Sequence, residues 1–272
     1  MTDAISAANA ASKVSGALKR ASQSTGVGFD YLYRVAVRES ALDPAAKART
    51  SSAAGLFQFI EQTWLGAVKN YGAAHGLAAE AADIVKGANG RLTVADPARR
   101  QAILDLRFDA EKASALAAEL ARENKAALEG ALGRAVDAAE LYAAHFLGAK
   151  GARTLLTADA AQSAAALLPS AAAANRPVFY DGARERTVGE VIAGFSRTIG
   201  GAKAAADEIK SAIGAGVSVL AEEMFRETAA FGDARALPGL ETRTLSPLVL
   251  AVLQALDWRG PERGDNQRAL RD

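Results

Sequence analysis

The sequence predicts a mainly α-helical protein, and its composition supplies the reasons. Of its 272 residues, 67 are alanine, only 7 are proline, and aromatic residues make up 6%. Alanine has the highest intrinsic helix propensity, and its small side chain lets helices pack closely. A chain of this length forms one large domain, or a main domain with a smaller partner. We therefore expect a helical core and not a β-sandwich.

Helical spacing and stop signals predict the elements of the first third of the chain. Leu32, Val35 and Ala36 recur with the period of a helix, and Asp43 and Pro44 end that pattern because the residue before a proline disfavours the α conformation. The predicted elements are, in order, a helical or mobile arm over 1–25, a helix over 30–42, a loop or short hairpin over 47–59, a helix ending near Tyr71, and an irregular excursion around a short helix over 72–96.

The remaining two thirds are predicted to be helical with two interruptions. Pro97 suits the first turn of a helix, and a glycine pair at 200 and 201 marks a boundary. The predicted elements are one long helix or two joined near Asp109, a helix from Val136 to Gly148, an alanine-rich helix over 157–174, a turn with an extended piece over 175–182, a helix over 187–195, and helices over 202–225 and near Leu248. The resulting regions are an N-terminal arm (1–25), a main domain (26–200) and a helical C-terminal extension (201–272).

Charge and cysteine content exclude several functional classes. The 32 lysines and arginines balance 31 aspartates and glutamates, and the chain has no cysteine. Without clustered basic residues, nucleic acid is not an expected partner. Without cysteine, disulfide scaffolds, thiol nucleophiles and Cys-ligated zinc are excluded. The two histidines have no acidic ligands at a suitable spacing, so neither a metal nor another cofactor is expected.

The sequence shows neither a signal peptide nor a transmembrane segment. Residues 1–19 lack the continuous apolar core of a signal peptide. The longest apolar stretch, 245–258, is interrupted by polar residues and falls short of the roughly 20 residues that span a bilayer. We therefore expect no membrane-spanning helix in this chain.

Glu39 is the candidate catalytic residue, and its position on its own helix is the first reason. It continues the face of Leu32, Val35 and Ala36 and lies in the last turn. Burial beside apolar side chains and the negative end of the helix dipole both disfavour a carboxylate, so a raised pKa is expected. A general acid needs such a carboxyl group. Position alone does not decide the role, since a glutamate near a helix end is usually solvated.

Three sequence motifs, taken together with their spacing along the chain, strengthen the case for Glu39. Ser40 follows it at the helix end, the segment 55–59 has the sequence GLFQF, and the segment 140–148 contains Tyr142 and a final glycine. Together they resemble the soluble lytic transglycosylases and goose-type lysozymes. That family is recognised by a Glu-Ser pair closing a helix, a Gly-Leu-Met-Gln-like segment, and a downstream Ala-Tyr-Asn-x-Gly segment. Here Phe57 replaces the methionine and the third segment lacks the asparagine; the resemblance covers about residues 28–150.

The resemblance implies a lysozyme-like helical fold whose cleft binds the glycan strand of peptidoglycan. In such enzymes the catalytic glutamate, here Glu39, protonates the oxygen between N-acetylmuramic acid and N-acetylglucosamine. It then takes a proton from the muramoyl C6 hydroxyl, which attacks the anomeric carbon and forms a 1,6-anhydro sugar. One carboxylate suffices because the attacking hydroxyl belongs to the same sugar. Asp43 and Glu61 are the nearest acidic alternatives for a second carboxylate. However, Asp43 is more simply explained as the residue that stops the helix, and Glu61 as a solvated position on a helix.

The predicted substrate-binding residues are Ser40, Phe57, Gln58, Tyr142 and Tyr180. Ser40 either orients the sugar or Glu39, or simply ends the helix. Gln58 lies between two aromatic residues, so in an extended segment it would point away from them and hydrogen-bond an acetamido group in the cleft, with a buried structural amide as the alternative. Tyr142 is expected to hydrogen-bond Glu39, with a core position as the alternative. Tyr180 either stacks on a sugar ring or anchors the core, and His145 is expected to be a packed structural residue.

Two alternative functions remain open. The first is a muramidase of the same fold, which uses water and leaves a reducing end. The second is a non-catalytic glycan-binding scaffold whose C-terminal helices dock a protein of a secretion or flagellar apparatus. Each function places the protein in the periplasm or cell envelope. In the absence of a recognisable signal peptide, we expect export by a specialised apparatus or phage-associated release.

Overall fold

The computed structural model describes residues 2–49, 51–201 and 207, with side chains described from residue 11 onwards. These residues are mainly helical, which confirms the predicted class at this level. The chain divides into two compact units, Met1–Ala206 and Asp207–Asp272. Apart from residue 207, the helices predicted over 202–225 and near Leu248 lie outside the described residues. No helix in the described ranges has the length and apolarity needed to cross a membrane.

The first unit contains long helices and two short antiparallel hairpins. Its helices are α1 (Thr2–Thr25), α2 (Phe29–Ser40), α3 (Glu61–Tyr71), α4 (Ala78–Asp83), α5 (Pro97–Asp105), α6 (Ala110–Leu132), α7 (Ala138–Leu156), α8 (Ala164–Leu167), α9 (Pro169–Ala174), α10 (Arg176–Phe179) and α11, which is described over 188–201. The hairpins are β1 (Ile84–Lys86) with β2 (Leu92–Val94), in register Ile84↔Val94, and β3 (Tyr180–Asp181) with β4 (Arg184–Glu185), in register Tyr180↔Glu185.

Helix α6 forms the centre of the core, and α1, α2, α3 and α7 all pack against it. Leu116 and Leu128 of α6 are fully buried, and alanines between them keep the neighbouring helices close. Leu18 of α1 is also fully buried. Burying one leucine side chain stabilises a fold by about 1.5–3 kcal/mol, so this apolar packing is the main stabilising contribution. Helix α1 therefore belongs to this core through those of its side chains that the structure describes.

Aspartate caps explain where α5 and α6 begin. Asp96 accepts a hydrogen bond from the Arg99 N–H at 2.9 Å, with Pro97 in the first turn of α5. Asp109 accepts hydrogen bonds from the second and third N–H groups of α6, at 2.9 and 3.1 Å. A side-chain acceptor at this position satisfies helix N–H groups that have no partner within the helix. Of the two alternatives for this region, the structure contains two helices, separated by a short 3-10 turn (Leu106–Phe108) and by Asp109.

Three predicted elements differ from the structure. The excursion over 72–96 contains the β1–β2 hairpin. The single helix predicted over 157–174 is instead the two short helices α8 and α9, because Ser163 caps the first and Pro169 begins the second. Gly148 does not stop α7 but kinks it, with φ 74° and ψ 159°, and the helix continues to Leu156.

The segment 52–59 is a turn held from outside by Arg107. The guanidinium Nη1 donates hydrogen bonds to the Ser52 and Phe59 carbonyl oxygens, at 2.6 and 3.1 Å. Gly55 lies in the same turn with φ 78°, and a Cβ atom there would be 1.9 Å from the Arg107 carbonyl oxygen. The turn therefore depends both on a glycine conformation and on close contact between two backbones.

We expect the Gly55→Ala substitution to lower the free energy of unfolding by about 3 kcal/mol or more, since it adds a backbone clash to an unfavourable φ. Gly133→Ala is the matched control: Gly133 has φ 67°, but nothing lies within 4 Å of its Cβ position. Its cost should be limited to backbone strain of about 1 kcal/mol. Urea unfolding of both variants measures the difference. Equal losses for the two would show that the contact with Arg107 is not tight.

Candidate active site

Glu39 lies in the last turn of α2, on the face that continues from the core. Leu32, Val35 and Ala36 of this helix are buried, and Glu39 follows them at the edge of that buried face. Its side chain is 21% exposed, so the carboxyl group is largely covered by protein but still reaches solvent. A carboxyl group in this position can meet a ligand while neighbouring side chains hold it.

Tyr142 of α7 holds the Glu39 carboxyl group. Its hydroxyl donates a hydrogen bond to Glu39 Oε1 at 3.1 Å, as the sequence analysis expected for this pair. The tyrosine is only 4% exposed, and its ring packs edge-on against Phe195 at 6.0 Å between centroids. Burial first, and the nearby Glu39 charge second, raise the pKa of the Tyr142 hydroxyl. Tyr142 therefore stays protonated and remains a hydrogen-bond donor.

Ser40 connects the end of α2 to the turn over 52–59. Its hydroxyl lies 2.8 Å from the Leu56 carbonyl oxygen and 3.2 Å from the Ala36 carbonyl oxygen, so it donates within the protein. Of the two predicted roles, these contacts support the structural one, in which Ser40 ends the helix. The contact with Leu56 also holds the turn against the end of α2, next to Glu39.

The structure corrects the prediction for Gln58. Residues 55–58 form a turn between the bridged residues Ala54 and Phe59, and not an extended segment. Gln58 has a left-handed φ of 48°, and its amide nitrogen donates to the Gly55 and Ala46 carbonyl oxygens, at 2.9 and 3.3 Å. The amide N–H groups are thus used within the loop. A contact between Gln58 and an acetamido group would need its carbonyl oxygen.

The rings of Phe57 and Tyr180 both make contacts within the protein. Phe57 is only 3% exposed and packs beside Phe59, because the turn directs its ring into the core. Tyr180 lies in β3, half-buried, with the Arg176 guanidinium over its ring at 4.3 Å. The contacts of the described residues join Tyr180 to Arg176 and not to Glu39. Of the predicted site residues, the structure brings Glu39, Ser40 and Tyr142 together, with the Gln58 turn attached through Ser40.

Backbone strain is concentrated beside Glu39. Within the described ranges, the non-glycine residues with positive φ are Ala41 at 51°, Leu42 at 66° and Gln58 at 48°. Two of them directly follow Ser40, and the third lies in the turn that Ser40 contacts. Such conformations cost on the order of 1–3 kcal/mol each and cluster at functional sites. This local cost supports a functional role for the end of α2.

Sequence reasoning missed Tyr31 and assigned His145 a different role. Tyr31 is 7% exposed; burial first, then the charges of Tyr142 and Glu39, raise its pKa. Tyr31 precedes Glu39 by eight residues, about two helical turns, so the two residues lie on the same face of α2. This spacing is the sequence signal that could have identified Tyr31. His145 was expected to be a packed residue, yet its side chain is 34% exposed and its Nε2 lies 3.9 Å from Glu39 Oε1.

His145 stacks on Tyr142 and is a neutral neighbour of Glu39. The two rings are 5.7 Å apart with an interplanar angle of 16°. Although a third of the side chain is exposed, desolvation of the rest lowers the pKa of His145, and the attraction to Glu39 opposes this only in part. Near neutral pH the imidazole is therefore mainly uncharged.

Two of the surface cavities formed by the described residues of this unit differ in their relation to the candidate site. The smaller, about 270 Å³, borders the candidate site, because Arg38 and Tyr142 form part of its wall. The larger, about 450 Å³, lies between Gln62, Arg100 and the β1–β2 hairpin and contains no residue of the Glu39 site. Among the residues that the structure describes, no group of three acidic or histidine side chains is arranged to hold a metal. The smaller cavity is the one next to the candidate chemistry.

No protein-family model matches this chain. The function is therefore inferred from the residues of the site and from the motifs that surround Glu39.

The lowered pKa of His145 predicts a specific pH dependence of stability. In the folded state His145 binds a proton less tightly than it does in the unfolded state. Once the pH falls to the ordinary histidine pKa of 6.5, the unfolded state therefore binds more protons than the folded state. The free energy of unfolding then decreases as the pH falls further. We expect His145→Gln to remove this contribution, so that urea unfolding between about pH 8 and about pH 5 shows a smaller loss than in the wild type.

Lys150→Gln is the control for this measurement, since Lys150 is an exposed residue of the same helix. It should keep the pH dependence of the wild type. An unchanged pH dependence in His145→Gln would contradict the interpretation that His145 resists protonation in the folded state.

Proposed function

We propose that this protein is a peptidoglycan lytic transglycosylase with a lysozyme-like fold, in which Glu39 is the single catalytic acid and base. The observation that carries the proposal is the Glu39 carboxyl group, 21% exposed and fixed by the Tyr142 hydroxyl at 3.1 Å. The Glu-Ser pair at a helix end, the contact of Ser40 with the GLFQF turn, and the mainly helical structure also support it.

The reaction needs only groups that Glu39 and the substrate supply. Protonated Glu39 donates its proton to the oxygen between N-acetylmuramic acid and N-acetylglucosamine, and the bond from that oxygen to the muramoyl C1 breaks. The C6 hydroxyl oxygen of the same muramoyl residue attacks C1, and the Glu39 carboxylate takes the hydroxyl proton. The products are a 1,6-anhydromuramoyl end and a free N-acetylglucosamine hydroxyl, with Glu39 protonated again. No water is consumed.

The contacts of Asp43 and Glu61, the two candidates for a second carboxylate, support a single carboxylate. Asp43 accepts a hydrogen bond from the Ala45 N–H at 2.8 Å and so stabilises the turn after α2. Glu61 is paired with Arg100 at 2.6 Å. A retaining or inverting glycosidase needs a second carboxylate about 5–9.5 Å from the first. With both alternatives engaged in these contacts, an intramolecular nucleophile is the simpler mechanism.

The proposed substrate places the activity in the bacterial cell envelope. A protein of a secretion or flagellar apparatus, bound through the C-terminal extension, is the partner that we propose on the basis of the sequence alone.

We expect Glu39→Gln to reduce the cleavage of purified sacculi by about 10³-fold or more, because the amide can neither donate nor accept the proton. Glu61→Gln is the matched control and should retain activity, since Glu61 forms an ion pair with Arg100 away from the reaction. Mass spectrometry of the products identifies the reaction: the anhydro product is lighter by one water than the hydrolysis product.

Three outcomes would contradict the proposal. Reducing-end products from the wild type would show a muramidase of the same fold. A wild type that binds sacculi without cutting them would show a glycan-binding scaffold. Equal loss of activity in Glu61→Gln would mean that Glu39 is not the only essential carboxyl group.

We expect Tyr142→Phe to lower kcat by roughly 10- to 100-fold with little change in KM, because a hydrogen bond to a charged group contributes about 1.5–3 kcal/mol. The phenylalanine ring keeps the packing against Phe195. Tyr71→Phe is the control, since it removes a similar hydrogen bond, from Tyr71 to Glu123 at 2.5 Å, outside the site. Steady-state kinetics of both variants test this positioning role. Equal losses of activity in Tyr142→Phe and Tyr71→Phe would contradict it.

A further inference from the structure

The cavity of about 270 Å³ beside Tyr142 has a wall that the proposed reaction does not use. It lies between the end of α2, α7, α10 and α11, all within the first unit. Its apolar wall includes Phe146, Val191 and Phe195. Three arginines, Arg38, Arg186 and Arg197, complete the lining, and we call this cavity the arginine pocket.

The positive charge of the arginine pocket is not cancelled by its single acidic residue. Glu190 also lines the pocket, but both of its oxygens accept hydrogen bonds from Arg184 at 2.9 Å, and one accepts a further bond from the Thr187 N–H at 2.8 Å. Arg184 is not part of the lining. The three lining arginines therefore give the pocket a positive electrostatic potential.

These arginines have N–H groups free to bind a ligand. Within the part of the chain that the structure describes, Arg38 and Arg197 form no ion pair or side-chain hydrogen bond, and both are exposed. Arg186 uses only its Nε, which donates to the Tyr180 carbonyl oxygen at 3.1 Å. A guanidinium group presents a planar fork of donors that matches a carboxylate. The pocket thus has both the charge and the donors to bind an anionic group.

The pocket adjoins the reaction centre. Tyr142 belongs to both, because its hydroxyl donates to Glu39 and its side chain forms part of the pocket wall. Arg38 directly precedes Glu39 on α2. A group bound in the pocket would therefore lie beside the sugar whose bond is cleaved. In peptidoglycan that sugar, N-acetylmuramic acid, carries a short peptide with an alanine next to the sugar and then a γ-linked glutamate with a free α-carboxylate.

We propose that the arginine pocket binds the carboxylate of the peptide attached to the muramoyl residue, with the apolar wall receiving the alanine methyl group. This inference rests on the proposed function. Such binding makes the protein selective for glycan strands that carry the peptide, because only those strands present the carboxylate to the arginines.

Binding of a minimal peptide tests the pocket without requiring catalysis. The probe is N-acetyl-L-alanyl-D-glutamate γ-methylamide, whose α-carboxylate is its only charge, and the comparison is its α-carboxamide analogue. We expect NMR titration to show that wild type binds the acid at least 10-fold more tightly than the amide. The double variant Arg38→Gln, Arg197→Gln should lose at least 10-fold in affinity for the acid. Arg153→Gln, an exposed arginine of α7 outside the lining, should bind normally.

Cleavage assays separate the failure of this inference from the failure of the proposed function. The wild type should cleave untreated sacculi about 10-fold faster than sacculi whose peptide carboxylates have been amidated, and the double variant should lose this preference. No binding of the acid, equal binding of acid and amide, or unchanged affinity in the double variant would overturn the inference. Peptide binding without cleavage of either substrate would overturn the proposed function and leave the pocket in place.

Discussion

The hydrogen bond from the Tyr142 hydroxyl to Glu39 is the interaction on which the candidate site depends. It joins residues 103 positions apart in the sequence, so it forms only when α2 and α7 are both packed against α6. The buried phenol needs an acceptor, since an unsatisfied buried donor costs about 1–3 kcal/mol. The carboxyl group in turn needs a partner that fixes its orientation. The same contact therefore serves the stability of the fold and the geometry of the site.

The turn over 52–59 is fixed to this site by contacts with two residues outside it. Ser40 binds the Leu56 carbonyl oxygen from the end of α2, while Arg107 binds the two ends of the turn from the far side. Trp64 anchors the following helix with a hydrogen bond of 2.7 Å to the Ile103 carbonyl oxygen. These partners come from segments distant in sequence, and they stabilise the strained conformations at Ala41 and Gln58 that neither residue adopts readily alone.

The sequence was informative where the causes are local. Apolar spacing and the Asp43–Pro44 pair predicted α2 and its end, and the motif at 140–148 identified Tyr142. Gln58 was placed wrongly because its conformation is set by contacts with Gly55 and Ala46, and by Arg107 some fifty residues away. His145 was expected to be a packed structural residue, and its approach to Glu39 was not predicted because Glu39 lies on another helix. The β1–β2 hairpin was missed since strands of three residues show no alternation that a sequence pattern reveals.

The groups around Glu39 bear on the acid and base role that we propose for it. A cation in contact with a carboxyl group stabilises the carboxylate and opposes proton donation. The direct partner of Glu39 is instead a neutral phenol, and desolvation keeps the imidazole of His145 mainly uncharged near neutral pH. Arg38 adjoins Glu39 in sequence but lines the neighbouring pocket. For the proposed function, this arrangement pairs a carboxyl group whose hydrogen-bond partner is neutral with an adjoining pocket that is lined by arginines.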